Sequence, residues 1–393
     1  MRSQNIAWDL EPEETPDERA ERETRISDFA LAGLLPLSAV PIPALGLPFN
    51  EVAALALVAL GCLRQPAKGR SVPLWLVVMM GSLLALLVLS ARLNGIDGSR
   101  RLIHMVGYVG LAWVIASGRV SRRSVARGLT ISLALTVAYG GATLPTSSYA
   151  GRLTGVLADP NVAAFLLVTL GLVSIPHVQH RVVRRLAMLT VLAGVLLTFS
   201  RTGLLALILV CLWLLLGRRI RLVGGVLVMG ALVWLVTTIP DDLRLFGPFS
   251  DRSGSDALRA RIIAAEYESL ANMPWYGHGP GTAGVFVQDE IFFFHNSYLA
   301  TRQEGGWLAL VLVVGMLVAA FVGLDAKVRS GVPEALWMQG GVIAVLVMAS
   351  TLGEVLLDLP TAVVIGFAVA TASRVEPPEP AVPPPTTTAQ VPA

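Results

Sequence analysis

Hydrophobic residues run along this chain in long blocks, and the polar positions gather into short stretches between them. About twelve apolar segments are visible, near residues 29–48, 50–63, 72–91, 102–117, 126–144, 160–176, 184–199, 202–217, 222–239, 305–324, 335–352 and 354–373. A membrane-spanning helix needs about 20 predominantly apolar residues, and only helices and closed barrels satisfy their backbone polar groups within lipid. The pattern predicts an all-α integral membrane protein, a bundle of about twelve transmembrane helices. Composition sharpens this picture. Of 393 residues, 54% are hydrophobic and 15% charged, and the mean hydropathy is +0.68, which leaves little chain for a soluble catalytic domain.

The polar stretches set the organisation. Residues 1–27 are acidic and without apolar periodicity, which predicts a disordered cytoplasmic tail, and the Pro- and Thr-rich residues 374–393 predict a second one. Helices one to nine are expected over 28–239 and helices ten to twelve over 305–373. Between them, 240–304 reads as one long extracytoplasmic loop containing short helices. Orientation follows from Lys and Arg, which favour cytoplasmic loops. With the N-terminus inside, 20 of the 30 fall on inner stretches, five on short outer loops and five in the long loop. Both termini are therefore expected in the cytoplasm. Residues 186–217 read as two helices with Arg201 at their outer turn, because a single span would place that arginine near the bilayer centre at a cost of about 2.5–3.5 kcal/mol.

Charge and cysteines add exclusions. The formal net charge is +3 with no compact basic domain, so nucleic acid is not an expected partner. Cys62 and Cys211 lie in apolar runs without metal or redox spacing. No cleavable signal peptide is evident. The outer stretches hold no H-E-x-x-H, no Walker lysine motif, no G-x-S-x-G and no tight carboxylate cluster, so neither a metal nor a cofactor is expected.

What remains chemically distinctive falls on the predicted outer side. Arg152 precedes a helix start marked by Asp159 and Pro160, and reads either as an interfacial anchor or as an anion contact beside a helix N-terminus. Arg201 reads either as a headgroup anchor or as a phosphate ligand, since a planar guanidinium suits bidentate phosphate binding. Arg259 and Arg261 open an expected amphipathic helix over 257–272, followed by the Gly-rich turn of residues 273–281. His295 and Asn296 stand where the long loop returns to the membrane. A lone histidine there is either an ordinary polar group or a general base. Glu354 and Asp358, four apart, are expected to share a face near the outer end of the last helix. Such a cationic, metal-poor set suits an anionic leaving group such as pyrophosphate and a hydroxyl nucleophile.

The order of these motifs resembles the O-antigen ligase and O-antigen polymerase family. The resemblance runs from about Gly151 to Trp307. It rests on Arg152 to Asn161 (R-L-x-G, then a P-N helix start), Ser200-Arg201 at a helix–helix turn and Arg259 opening the long loop. Pro274, Gly277 and Gly279 follow, then His295, Asn296, Leu299, Glu304 and Gly306. It implies a membrane-embedded glycosyltransferase of the C superfamily in a bacterial cytoplasmic membrane. The donor would be an oligosaccharide on undecaprenyl pyrophosphate, and the acceptor a glycan or lipid-linked glycan. A flippase and a chain-length regulator would be partners, alongside membrane lipids. The resemblance assigns catalysis to Arg201, Arg259 and His295, with Arg152, Arg261, Asn296 and Glu304 binding substrate. The aromatic residue the family often carries four positions after its loop arginine is Ile263 here, which leaves Arg259 and Arg261 both open as that arginine. A polymerase is the preferred expectation and a ligase the alternative; a transporter of an anionic solute is the rival from another class.

Overall fold

The computed structural model describes residues 24–43, 46–67, 70–147, 149, 151–157, 159–220, 230 and 253–374. Most of both expected tails, the expected ninth span but for residue 230, and the start of the long loop lie outside the described residues. The helices are α1 (Ile26–Leu34), α2 (Phe49–Cys62), α3 (Leu74–Asn94), α4 (Ser99–Ala116), α5 (Arg122–Ala142), α6 (Pro160–Ser174), α7 (Arg181–Thr198) and α8 (Arg201–Leu216). Further along the chain come α9 (Ser253–Leu270), the strands β1 (Gly284–Val287) and β2 (Glu290–Phe293), then α10 (Ser297–Gly323), α11 (Asp325–Arg329), α12 (Pro333–Met348) and α13 (Leu359–Ala372).

Among the described residues, four helical stretches are long and apolar enough to cross a membrane: Leu74–Asn94, Arg122–Ala142, Pro160–His177 and Ser297–Arg329. Four further apolar helices, α2, α8, α12 and α13, are shorter. The chain is thus a mostly helical membrane protein, with departures from the expected twelve spans. The apolar block 29–48 is not one helix. α1 stops at Leu34 because Pro36 lacks an N–H and prolines at 41, 43 and 48 hold the chain extended, with Pro41 and Pro48 bridged. The last block begins only at Leu359, so Glu354 lies in the connection before α13 rather than on a shared helical face with Asp358. The described part of the long loop holds an eighteen-residue helix and a hairpin rather than short helices alone. That hairpin turns at Gln288 and Asp289, both at positive φ (54° and 67°), as the tight turns matched to strand twist require.

Successive helices alternate between two ends of the bundle. At one end Arg25 N–H donates to Ser124 Oγ (2.9 Å), Arg64 pairs with the buried Asp28 (2.5 Å) and Arg122 bonds Thr371 (3.2 Å). At the other end the termini of α3, α6, α7, α8, α10 and α12 meet. Without water between helices, association relies on close packing of small residues. A Cβ on Gly128 of α5 would lie 2.2 Å from the Phe29 carbonyl of α1, and one on Gly203 of α8 would lie 2.6 Å from Ala164 of α6. Large apolar side chains such as Val78, Leu89, Leu189, Leu196 and Val311 stay exposed around the outside, as a lipid-facing belt does.

Candidate functional site

The second end of the bundle gathers most of the motif residues. Asp159 caps α6, its Oδ1 accepting from Asn161 N–H (2.7 Å) and Val162 N–H (3.1 Å), with Pro160 at the first helical position. Asp159→Ala is expected to cost about 1 kcal/mol, read as a lowered unfolding midpoint in detergent with the bundle otherwise intact. Arg152 lies beside the end of α7, where its Nε donates to the Thr198 carbonyl (2.9 Å) and its guanidinium sits 5.8 Å from the Tyr149 ring centre. Leu153 N–H bonds Leu197 O (2.8 Å), so the Arg152 segment is stitched to the α7–α8 turn.

That turn passes through Phe199 in the left-handed region (φ 46°) and is closed by Ser200, which caps α8 through Gly203 N–H (3.3 Å). Ser200 Oγ also donates to Asn161 Oδ1 (2.9 Å), so the motif residues around positions 161 and 201 share one bond. Arg201 is the first residue of α8 and half-buried. Two separate helices meet here, as the arginine in the apolar run required.

His295 is joined to this cluster through the 349–358 connection between α12 and α13. Thr202 and Thr351 hydroxyls lie 2.5 Å apart. Two residues on, Gly353 packs so closely on Phe294 that a Cβ would sit 1.7 Å from its carbonyl oxygen. Ser297 N–H bonds Ala349 O (2.8 Å), and Ser297 Oγ accepts from Val355 and Leu356 N–H (3.1 and 2.8 Å). Asn296 caps α10, its Oδ1 accepting from Tyr298 and Leu299 N–H (2.9 and 3.3 Å). Its side chain builds the helix start that presents His295.

The remaining assignments separate. Arg259 lies on α9, and its side chain falls outside the described residues; Arg261 is on α9 and exposed. Position 259 stands seven residues, two helical turns, before the buried Glu266, whereas position 261 is out of phase with it. Glu304 is buried in α10 with its carboxylate held by Arg101 of α4 (Nε–Oε2, 3.2 Å), and Arg101 also reaches Glu354 at 3.6 Å. Gly279 N–H and Ser90 Oγ both bond the Glu304 carbonyl at 3.1 Å, so the Gly-rich turn docks on α3 and α10 there.

Glu266 is the group that the sequence reading passed over. Its Oε1 accepts His295 N–H at 2.6 Å and lies 4.0 Å from His295 Nδ1. The signal was present: Ile262, Glu266 and Leu270 form the buried stripe of α9, and a carboxylate within such a stripe asks for a partner. Burial pushes the Glu266 carboxyl above the usual carboxylate range, and the His295 N–H pulls it part of the way back.

Fold and site together define a helical membrane protein with an arginine- and histidine-bearing cluster at one end of its bundle. Residues 186–314, from α7 into α10, match the family model described as O-antigen ligase. The match includes Arg201, Arg259, Arg261, His295, Asn296 and Glu304, and in general supports an enzyme of the O-antigen ligase or polymerase type. No curated protein matches the chain.

Proposed function

We propose that this protein is a metal-independent, inverting glycosyltransferase. It moves an oligosaccharide or polysaccharide from undecaprenyl pyrophosphate to a hydroxyl acceptor on the outer face of a bacterial cytoplasmic membrane, polymerising surface-polysaccharide repeats. The observation that supports this reading most is the linkage of Arg152, Asn161 and Arg201 to His295 through the 349–358 connection, although these residues span more than a third of the chain. In this reading the end bearing Arg25 faces the cytoplasm, in keeping with the arginine excess there. Arg201 and Arg259 hold the donor pyrophosphate and stabilise the charge that develops on it. His295 takes the proton of the acceptor hydroxyl as its oxygen attacks the anomeric carbon. The bond from that carbon to the phosphate oxygen breaks, and the lipid pyrophosphate leaves with the electron pair. Arg152 and Arg261 steady donor phosphate or sugar, and Asn296 acts by fixing the helix start behind His295.

The test is a gel profile of surface and lipid-linked polysaccharide in the native host, comparing wild type with His295→Ala at matched protein levels. Collapse of long chains to single repeats is expected of a polymerase. Intact long chains stranded on the lipid carrier would instead mean a ligase. An unchanged profile would remove His295 from the site and favour the transporter.

A further inference from the structure

Glu266 is an unusual residue to find where it is. It is fully buried on α9, its Oε1 accepts the His295 backbone N–H at 2.6 Å, and its Oε2 is buried with no hydrogen-bond partner among the described residues. A buried carboxylate with incomplete compensation is costly, and sequences keep such violations of the local rules where function uses them. A backbone N–H needs only a neutral oxygen as acceptor, so one hydrogen bond does not account for a glutamate here.

The placement of the ring supplies the account. Glu266 Oε1 lies 4.0 Å from His295 Nδ1, so the carboxylate faces that nitrogen of the ring. We infer that Glu266 is the positioning residue for His295: its carboxylate holds the Nδ1 proton, orients the imidazole with Nε2 toward the acceptor, and stabilises the imidazolium formed when Nε2 takes the hydroxyl proton. A contact of 4.0 Å is longer than a hydrogen bond, and catalytic contacts of this kind close up when substrate is bound. The same helix carries Arg259 two turns earlier, so donor binding by α9 would draw the carboxylate onto the ring. This inference rests on His295 serving as the base.

The charged groups on the elements around His295 are Asp256, Arg259, Arg261, Glu266 and Glu268 on α9, Glu290 on β2, Arg201 on α8, Arg302 and Glu304 on α10, and Glu354 and Asp358 in the α12–α13 connection. Glu304 and Glu354 are both engaged by Arg101. Removing the Glu266 charge destabilises the imidazolium, so the ring gives up its proton at lower pH.

Two measurements on Glu266→Gln test this. The first is glycan transfer in membrane vesicles carrying the host's own lipid-linked glycan. Turnover is expected to fall about tenfold or more, the size seen when a partner that orients a metal-bound histidine is removed, with KM for the donor changed less than twofold and the acidic limb of the pH profile moved to lower pH. The second needs no substrate: carbethoxylation of His295 by diethyl pyrocarbonate in the detergent-solubilised full-length protein, followed by mass spectrometry across pH. Its midpoint is expected to move down by about one unit, the low end for a charge at this distance. Wild-type turnover and midpoint in Glu266→Gln would overturn the inference, as would lost turnover with an unmoved midpoint, which would mark a purely structural role. If the glutamine variant does not accumulate, Glu266→Asp, which draws the charge back by one methylene, is expected to move the midpoint the same way by less, and an unmoved midpoint overturns the inference. Failure of the catalytic reading itself shows separately, as an unchanged glycan profile in His295→Ala.

Discussion

Gly306→Ala is expected to abolish accumulation of the folded protein, or to lower its stability by more than about 4 kcal/mol, a size reached only by a few specific mechanisms. Gly306 interrupts α10 at φ 72° and ψ −172°, a region open almost only to glycine, where another residue costs roughly 1–3 kcal/mol. A Cβ there would also lie 1.7 Å from the Trp275 carbonyl oxygen. Both partners are backbone, and both are pinned: His278 N–H bonds Gln303 O at 2.7 Å, and Asn94 Nδ2 bonds Gly277 O at 3.0 Å. Neither side can yield without undocking the Gly-rich turn. Gly81→Ala in α3 is the control, since its Cβ would meet nothing within 4 Å; there the change is expected to be neutral or stabilising by up to about 1 kcal/mol. Thermal unfolding of both variants in detergent, with size-exclusion recovery, reads the contrast. Equal behaviour would refute the close docking of turn and broken helix.

The second large effect is expected at Arg101. Its guanidinium meets Glu304 at 3.2 Å with side-chain exposures of 15% and 3%, and Arg101→Met leaves the glutamate buried without a counter-charge. Breaking one side of such a pair costs about 3–5 kcal/mol, whereas replacing both sides by apolar groups of similar volume is often neutral. Arg101→Met and Glu304→Met are therefore each expected to lower the unfolding midpoint strongly, and the double variant to recover most of the loss. A double-mutant cycle in detergent measures the coupling. Simple addition of the two losses would mean that the pair contributes no mutual stabilisation. Glu354, on the same guanidinium at 3.6 Å, is 58% exposed, and water compensates for its loss.

Long-range pairs of this sort show what the sequence could not display. Arg101 and Glu304 stand 203 positions apart, and no periodicity connects them. Helix existence was legible because burial in lipid forces runs of apolar residues, and α3 to α8 fall where those runs lie. Helix ends were legible where chemistry marks them, at Asp159-Pro160 and at the Ser200-Arg201 turn, whereas Asn296 caps a helix that begins inside the stretch expected as loop. Failures came where hydropathy was read without its punctuation. The prolines that end α1 were in plain view, and the connection before α13 was hidden because Leu352, Val355, Leu356 and Leu357 are apolar without being helical. The hairpin escaped because Gln288-Asp289 is not a sequence that announces a tight turn. Glu266 escaped because a single acid on a loop helix looks solvated until the helix is seen to bury that side.

The 349–358 connection also sets an order in time. Arg201 and its turn leave the ribosome roughly a hundred residues before His295, and the segment that ties them together emerges later still. A nascent chain therefore carries both halves of the proposed centre into the bilayer unjoined, and transfer of glycan would begin only once the final hairpin of α12 and α13 has been inserted.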